Sequence, residues 1–230
     1  MKQGLFLWMV KKNLLFLFFL ILSFSPVWAG KERIPKPKHL FAGLNMVAYK
    51  GSLQDSYKRW TPALQAGLSV GVRKNMNLTF GLTIGQVIGE DRSYRLPATA
   101  DASLSPVNRF KTNFISLGAE FQFKALEYKG FKLFGSLGLG LFNFSPKDFE
   151  GNELVNRTRT RNRSEDYGQN AIQFPIQMVA QYWFNPKLGI GFQGGWLNVN
   201  SRYLDNMDKL ANNSRGDNVA VFRFQVLAGL

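Results

Sequence analysis

The ten residues "NLTFGLTIGQ", 77 to 86, alternate bulky apolar side chains with small or uncharged polar ones. Successive side chains of a strand point to opposite faces, so Leu78, Phe80, Leu82 and Ile84 share one side. Asn77, Thr79, Gly81, Thr83 and Gly85 share the other. Which side meets water decides the fold.

The same two-residue period occurs eight times, this stretch being the third. The first, Leu40 to Tyr49, sets Leu40, Ala42, Leu44 and Met46 on one face, and the second, Trp60 to Val72, sets Trp60, Leu64, Ala66 and Leu68. "NFISLGAEFQF" and "FKLFGSLGLGLF" form the fourth and fifth, opposing Glu120 and Lys132 to rows of Leu, Ile and Phe. The sixth places Ile172, Phe174, Ile176 and Met178 against Gln173, Gln177 and Gln181. The seventh opposes Leu188, Ile190 and Phe192 to Gly189, Gly191 and Gln193. The eighth opposes Phe222, Phe224 and Val226 to Arg223 and Gln225. Links alternate in length: "RKNM", "KALEYKG" and "NPK" are short, whereas 89–108, 145–170 and 200–217 are long. This is an up-and-down meander with tight turns at one end and loops at the other.

The exterior of a soluble barrel would carry Lys, Glu and Asp. Here the less apolar face is mainly Gly, Ser, Thr, Asn and Gln, which suits the narrow interior of a small barrel. The apolar face is bulky at nearly every position over strands of roughly 10 to 13 residues, near the ~9–11 that a tilted strand needs to cross a bilayer. An open sheet in hydrocarbon would leave edge N–H and C=O groups unpaired, so a spanning sheet must close. The expectation is an all-β, eight-stranded antiparallel transmembrane barrel with short periplasmic turns and long extracellular loops. A secreted soluble barrel or sandwich is the competing fold. Pro175 inside the sixth stretch calls for a bulge or a strand end. The chain ends "AGL" where many bacterial barrels place an aromatic.

Residues 1–29 stand apart. Lys2, Lys11 and Lys12 flank the apolar run "LLFLFFLILSFSPVWA", which ends in small residues at Val27 and Ala29. This is the pattern of a secretory signal peptide cleaved after Ala29, for Sec-type export to the outer membrane; a retained N-terminal membrane helix is the alternative. Residues 30–38 then form a periplasmic segment and 39–230 the barrel. The leader holds three lysines, so the formal charge of +14 falls to +11. Export and scattered cations argue against nucleic acid as a partner.

With no cysteine and one histidine, thiolate and His-cluster metal sites are excluded, and no catalytic triad assembles around His39. No cofactor is expected and the chain reads as a non-enzyme. Glu120, Lys132 and Arg223 project to the polar face as a lumen charge network, with Glu120 and Lys132 near each other. Tyr49, Trp60 and Trp196 are outer girdle candidates, and Tyr182, Trp183 and Phe184 inner ones. The run "NRTRTRNR" places Arg157, Arg159, Arg161 and Arg163 in an extracellular loop, either as a solvated surface or as a contact for lipopolysaccharide or another polyanion. "RGD" at 215–217 and "NRT" at 156–158 are short enough to arise by chance.

The segment "SRYLDNMDKL", 201 to 210, followed by "RGDN", resembles a family of small outer-membrane barrels of Bacteroidetes-type bacteria that includes PorG. Tyr203, Leu204 and Asp205 match the family's Tyr-Leu-Asp after the seventh strand; Ser201 and Arg202 stand where it often has Thr-Asp. "YKGSL", "RFKTNFISLGAEFQF", "FNFSP" and "FNPKLGIGFQGGW" are similar as well, while "NVAVF" departs from the family's Asn-Asp-Trp-Tyr. The resemblance implies an accessory or anchoring part of a type IX secretion and gliding machinery. Its partners would be outer-membrane lipid and periplasmic or outer-membrane subunits, met in part by the basic Lys31, Arg33, Lys36 and Lys38. A structural subunit of another complex, or a small porin-like or adhesin barrel, is the alternative role.

Overall fold

The computed structural model describes residues 37–92, 107–155, 157, 168–207 and 216–230. Nine strand segments run in order: β1 (Lys38–Lys50), β2 (Trp60–Arg73), β3 (Met76–Glu90), β4 (Arg109–Tyr128), β5 (Phe131–Lys147), β6 (Asn170–Gln173), β7 (Ile176–Asn185), β8 (Leu188–Trp196) and β9 (Asn218–Gly229). Each seam is antiparallel. The sheet runs β4-β3-β2-β1-β9-β8-β7-β5, and pairing of β4 with β5 closes it. No backbone edge is left for lipid to strip of hydrogen bonds.

β6 and β7 are two lengths of one barrel strand, so eight strands form the wall. Both pair with β5. The pairs Gly140↔Gln173 and Leu137↔Ile176 flank the interruption with equal spacing on both strands, so no residue is inserted. Pro175 therefore sits in no bulge but in the two-residue interruption, immediately before the mouth-side end of β7, one of the two placements that the sequence left open. Its carbonyl still accepts from Gly138 N at 3.0 Å, and only the return bond from its missing N–H is lost.

Burial is inverted relative to a soluble protein. Phe80, Leu82 and Ile84 are about half exposed, whereas Thr79 and Thr83 are 7% and 2% exposed. Leu44, Leu64, Leu117, Leu139, Leu141 and Phe224 continue the exposed apolar face round the wall. A belt of this size in water would cost about 25 cal/mol per Å2, so lipid is its solvent. The chain is a transmembrane β-barrel, and the bulky side of the opening stretch faces hydrocarbon.

One end carries the three tight hairpins, the first residue of β1 and the C-terminus, where Leu230 N donates to Lys38 O. Lys129 and Gly130, with φ of 43° and 85°, form the two-residue β4–β5 turn. Two positive φ values in a hairpin loop match the twist of the strands, and Lys-Gly supplies the glycine where it relieves most strain. All the longer connections emerge at the opposite, extracellular end.

Inside, glycine and phenylalanine interlock across the seams. Phe41 faces Gly67, Phe110 faces Gly89 and Phe114 faces Gly85. A Cβ on Gly67 would lie 2.3 Å from the Phe41 ring, and one on Gly89 2.2 Å from the Phe110 ring. Each inward ring thus lies over a bare stretch of the neighbouring strand.

Candidate functional site

The lumen is filled in two layers of different chemistry. In the middle layer, Glu120 from β4 meets Arg223 from β9 with Oε1 and Nη1 3.5 Å apart. Ser136 Oγ and Gln193 Nε2 donate to Glu120 Oε2 at 2.6 and 3.1 Å, and Gln177 Nε2 donates to Oε1 at 3.4 Å. Arg223 Nη1 donates to Gln177 Oε1 at 3.0 Å. Gln225 Nε2 extends the network to Gln193 and Gln65. Two buried charges are costly to desolvate, and the amides and hydroxyl around them satisfy lone pairs that water would otherwise hold. The network joins β2, β4, β5, β7, β8 and β9 across the interior.

Lys132 does not belong to it. The two-residue turn places Lys132 opposite Glu127, and its Nζ lies 3.5 Å from Glu127 Oε1 near the periplasmic end. Glu120 instead stands opposite Gly138. The expected Glu120–Lys132 proximity is corrected to Glu120–Arg223 and Lys132–Glu127.

Above this layer, towards the extracellular side, the lining turns apolar. Phe114 and Phe142 stack at 4.8 Å, Tyr49 meets Phe110 edge-on at 4.9 Å, and Phe144 lies beyond Phe142. Val47, Ala63, Val87, Val219 and Val221 complete a small core inside the barrel. The reading of the interior as glycine and short polar groups holds only for its inner part. In sequence, Phe110, Phe114, Phe142 and Phe144 have the parity of Ser116, Glu120 and Ser136, which is the signal that marks them as inward.

The segment 201–207 caps that core. Leu204, Asp205, Asn206 and Met207 are fully buried, and Tyr203 packs against the cluster. Asp205 Oδ2 accepts from the Tyr49 hydroxyl at 2.8 Å and from Leu53 N at 3.1 Å, and Oδ1 accepts from Met207 N at 3.0 Å. Asp217 Oδ1 lies 3.1 Å from the same hydroxyl, and its Oδ2 accepts from Leu204 N at 2.8 Å. Asn206, at φ 63°, turns the chain and donates to Leu154 O, while Thr112 donates to Leu204 O. Burial pushes the Asp205 carboxyl up to about 6, against the pull of its hydrogen bonds. Tyr203, Leu204 and Asp205, singled out in sequence, therefore form part of a stopper that ties β1, β4 and the connections after β1, β5 and β8 together.

Two girdle candidates change roles. Tyr49 points inward as this hydrogen-bonding residue, and Trp183 packs edge-on to the buried His39 at 5.2 Å. Trp60, Trp196, Tyr182 and Phe184 do face outward. Arg157 pairs with Asp148 at 2.6 Å. Arg159, Arg161 and Arg163, and Lys31, Arg33 and Lys36, lie outside the described residues; Lys38 is exposed at the start of β1. Among the described residues, no group of three or more His, Asp or Glu could hold a metal ion.

No protein-family model matches the sequence, and no curated protein matches it either. The fold is similar to Neisserial surface protein A, with a TM-score of 0.52 at 12% identity, covering 83% of this chain and 96% of that one. Ail, the attachment invasion locus protein of Yersinia pestis, aligns with a TM-score of 0.49 at 10% identity, over 86% of this chain and all of that one. OprG of Pseudomonas aeruginosa gives 0.44 at 11% identity, over 84% and 93%. The architecture of this chain is that of a small outer-membrane β-barrel.

Proposed function

We propose that this protein is a closed outer-membrane barrel that conducts no solute and serves as a membrane-embedded anchor for other proteins. One observation carries this reading: the lumen is occupied from the Glu120–Arg223 layer up to the segment holding Asp205. The barrel is non-enzymatic. Its buried carboxylates are held by amides, hydroxyls, backbone N–H groups and Arg223, and His39 is buried against Trp183.

The likeness of "SRYLDNMDKL" to the PorG-containing family supports a narrower form, an accessory component of type IX secretion and gliding. Reconstitution in planar bilayers should give no conductance steps; reproducible ones would sink the anchor in favour of a small pore. Affinity recovery from detergent-solubilised native outer membrane tests the narrower form. Co-recovery of secretion-machine subunits supports it, and recovery alone refutes it.

A surface-binding barrel is the second reading. It is favoured by the ordered outer mouth, where 51–54 and 201–207 are hydrogen-bonded to each other and to the wall. Shaving the outer loops by protease should abolish cell or matrix binding on this reading and leave it absent throughout on the first.

A further inference from the structure

On the outside of the wall the apolar belt gives way to polar side chains first on β5 and then on β4, while β3 carries an apolar residue, Ile88, opposite Lys111. Going outward along β4, the lipid-facing residues are Phe123, Phe121, Ala119, Leu117 and Ile115, then Asn113, Lys111 and Arg109. On β5, Leu137, Leu139 and Leu141 give way to Asn143, Ser145 and Lys147. The first polar tier is neutral and self-satisfied: Gln86 Nε2 donates to Asn113 Oδ1, and Asn143 Nδ2 to Asn170 Oδ1, both at 2.8 Å.

The next tier is cationic on β4 and β5. Lys111 and Lys147 stand directly opposite each other in the β4–β5 ladder. Like charges at cross-strand spacing repel. Among the described residues neither ammonium has an ion-pair partner, and two of the neighbouring carboxylates are already engaged by other groups. Glu90 is shared by Arg59, Arg92 and Arg109; Asp148 is held by Asn152 and Arg157. Glu153 meets Lys147 through a backbone bridge. The Phe149 ring holds the Arg109 guanidinium at 3.9 Å and the Lys111 ammonium at 4.6 Å, which fixes both cations on the outer surface.

We infer that Lys111, Lys147 and Arg109 form a seat for a phosphate group of an outer-leaflet glycolipid, whose acyl chains lie on Ile115, Leu117, Leu139 and Leu141. Depth supports a lipid source over a soluble anion. Lys111 is four residues beyond Ile115, or ~13 Å along the strand at ~3.3 Å per residue. Tilt of the strand brings that to ~10 Å above the belt, at the level of headgroups. A bound phosphate converts a repelling lysine pair into two charge-assisted contacts. The inference rests on the chain's outer-membrane orientation, not on the anchoring role.

The test compares the full chain with Lys111→Gln/Lys147→Gln in detergent micelles. Thermal unfolding is followed as a bisphosphorylated lipid A is titrated in. Without lipid, the double variant should be at least as stable as the wild type, because a repulsion has been removed. With lipid A the order should reverse, and the wild type should bind at least tenfold more tightly. Enzymatically dephosphorylated lipid with the same acyl chains should bind both proteins equally, and inorganic pyrophosphate alone should shift neither. Equal lipid A affinity in the two proteins would overturn the seat. So would a tenfold preference that survives dephosphorylation. Stabilisation by pyrophosphate alone equal to that by lipid A would replace the lipid with a soluble anion. If the double variant does not fold, Lys147→Gln alone serves, since among the described residues the cations over the Phe149 ring are Arg109 and Lys111. Conductance is read separately, so a pore with this seat and an anchor without it are distinguishable.

Discussion

The Tyr49 hydroxyl lies 2.8 Å from Asp205 Oδ2, a contact between residues 156 positions apart that fastens the last outer connection to the first strand. Asp217 Oδ1 lies 3.1 Å from the same oxygen. A phenol has one proton, so it donates to only one of the two carboxylates at a time. The stopper is thus held by a hydroxyl under competing demand.

Removing that hydroxyl should loosen the stopper without opening the wall. Tyr49→Phe leaves two buried carboxylates short of a donor, at a cost of ~1–3 kcal/mol. Limited proteolysis should cut the 201–217 region faster in the variant. The heat-modifiable gel shift of the folded barrel should be unchanged.

Acid should tighten the same region. Asp205 has a folded value of about 6 against an ordinary 3.8, so between those values the folded protein holds a proton that the unfolded chain has lost. Its contribution is full below about pH 4 and disappears as pH rises through 6, amounting to ~3 kcal/mol at most. Asp148, held below the usual carboxylate range chiefly by its Asn152 hydrogen bond, acts in the opposite sense and only under stronger acid. Protease protection of 201–217 should therefore increase from pH 7.5 to 5. In Asp205→Asn it should be weaker throughout and flat over that interval.

The middle layer should respond asymmetrically to charge removal. Glu120→Gln leaves Arg223 buried without a counter-charge, at ~3–5 kcal/mol. Adding Arg223→Gln should recover part of that loss. Lys132→Gln, at a partly exposed pair, should cost less than ~1 kcal/mol. Urea unfolding in lipid vesicles reads all three, and additive losses for Glu120 and Arg223 would contradict their direct coupling.

Overpacking at the glycine–ring contacts gives a third stability series. Gly89→Ala drives a methyl into the Phe110 ring, at ~1–3 kcal/mol. Phe110→Leu in the same chain should relieve most of it. Failure of the second change to rescue the first would place the strain elsewhere.

Much of the wall was legible because a lipid-facing strand repeats one simple rule. Leu78, Phe80, Leu82 and Ile84 declare the pleat, and the unequal links declare the topology. Parity also marked Tyr49 and the inward phenylalanines, but an aromatic near a strand end resembles a girdle residue unless its face is counted. The Lys132–Glu127 pair was encoded in "YKGF", since a two-residue turn at Lys129–Gly130 fixes the register. Pro175 marks a true interruption, where a missing N–H breaks the hydrogen bonding and starts a new strand segment without shifting the register. The stopper was beyond reach of local rules: nothing near Asp205 in sequence announces Tyr49, Leu53 or Thr112.

Closure of the β1–β9 seam also sets the order of assembly. Every other seam joins neighbours along the chain and can zip as a hairpin, whereas β1–β9 pairs His39 with Gly229 and must wait for the two ends to meet. Loop-closure entropy makes that encounter the slow step. Substitutions at this seam should therefore retard folding more than equally costly ones at β4–β5, leaving a curled, unsealed intermediate that kinetics can capture.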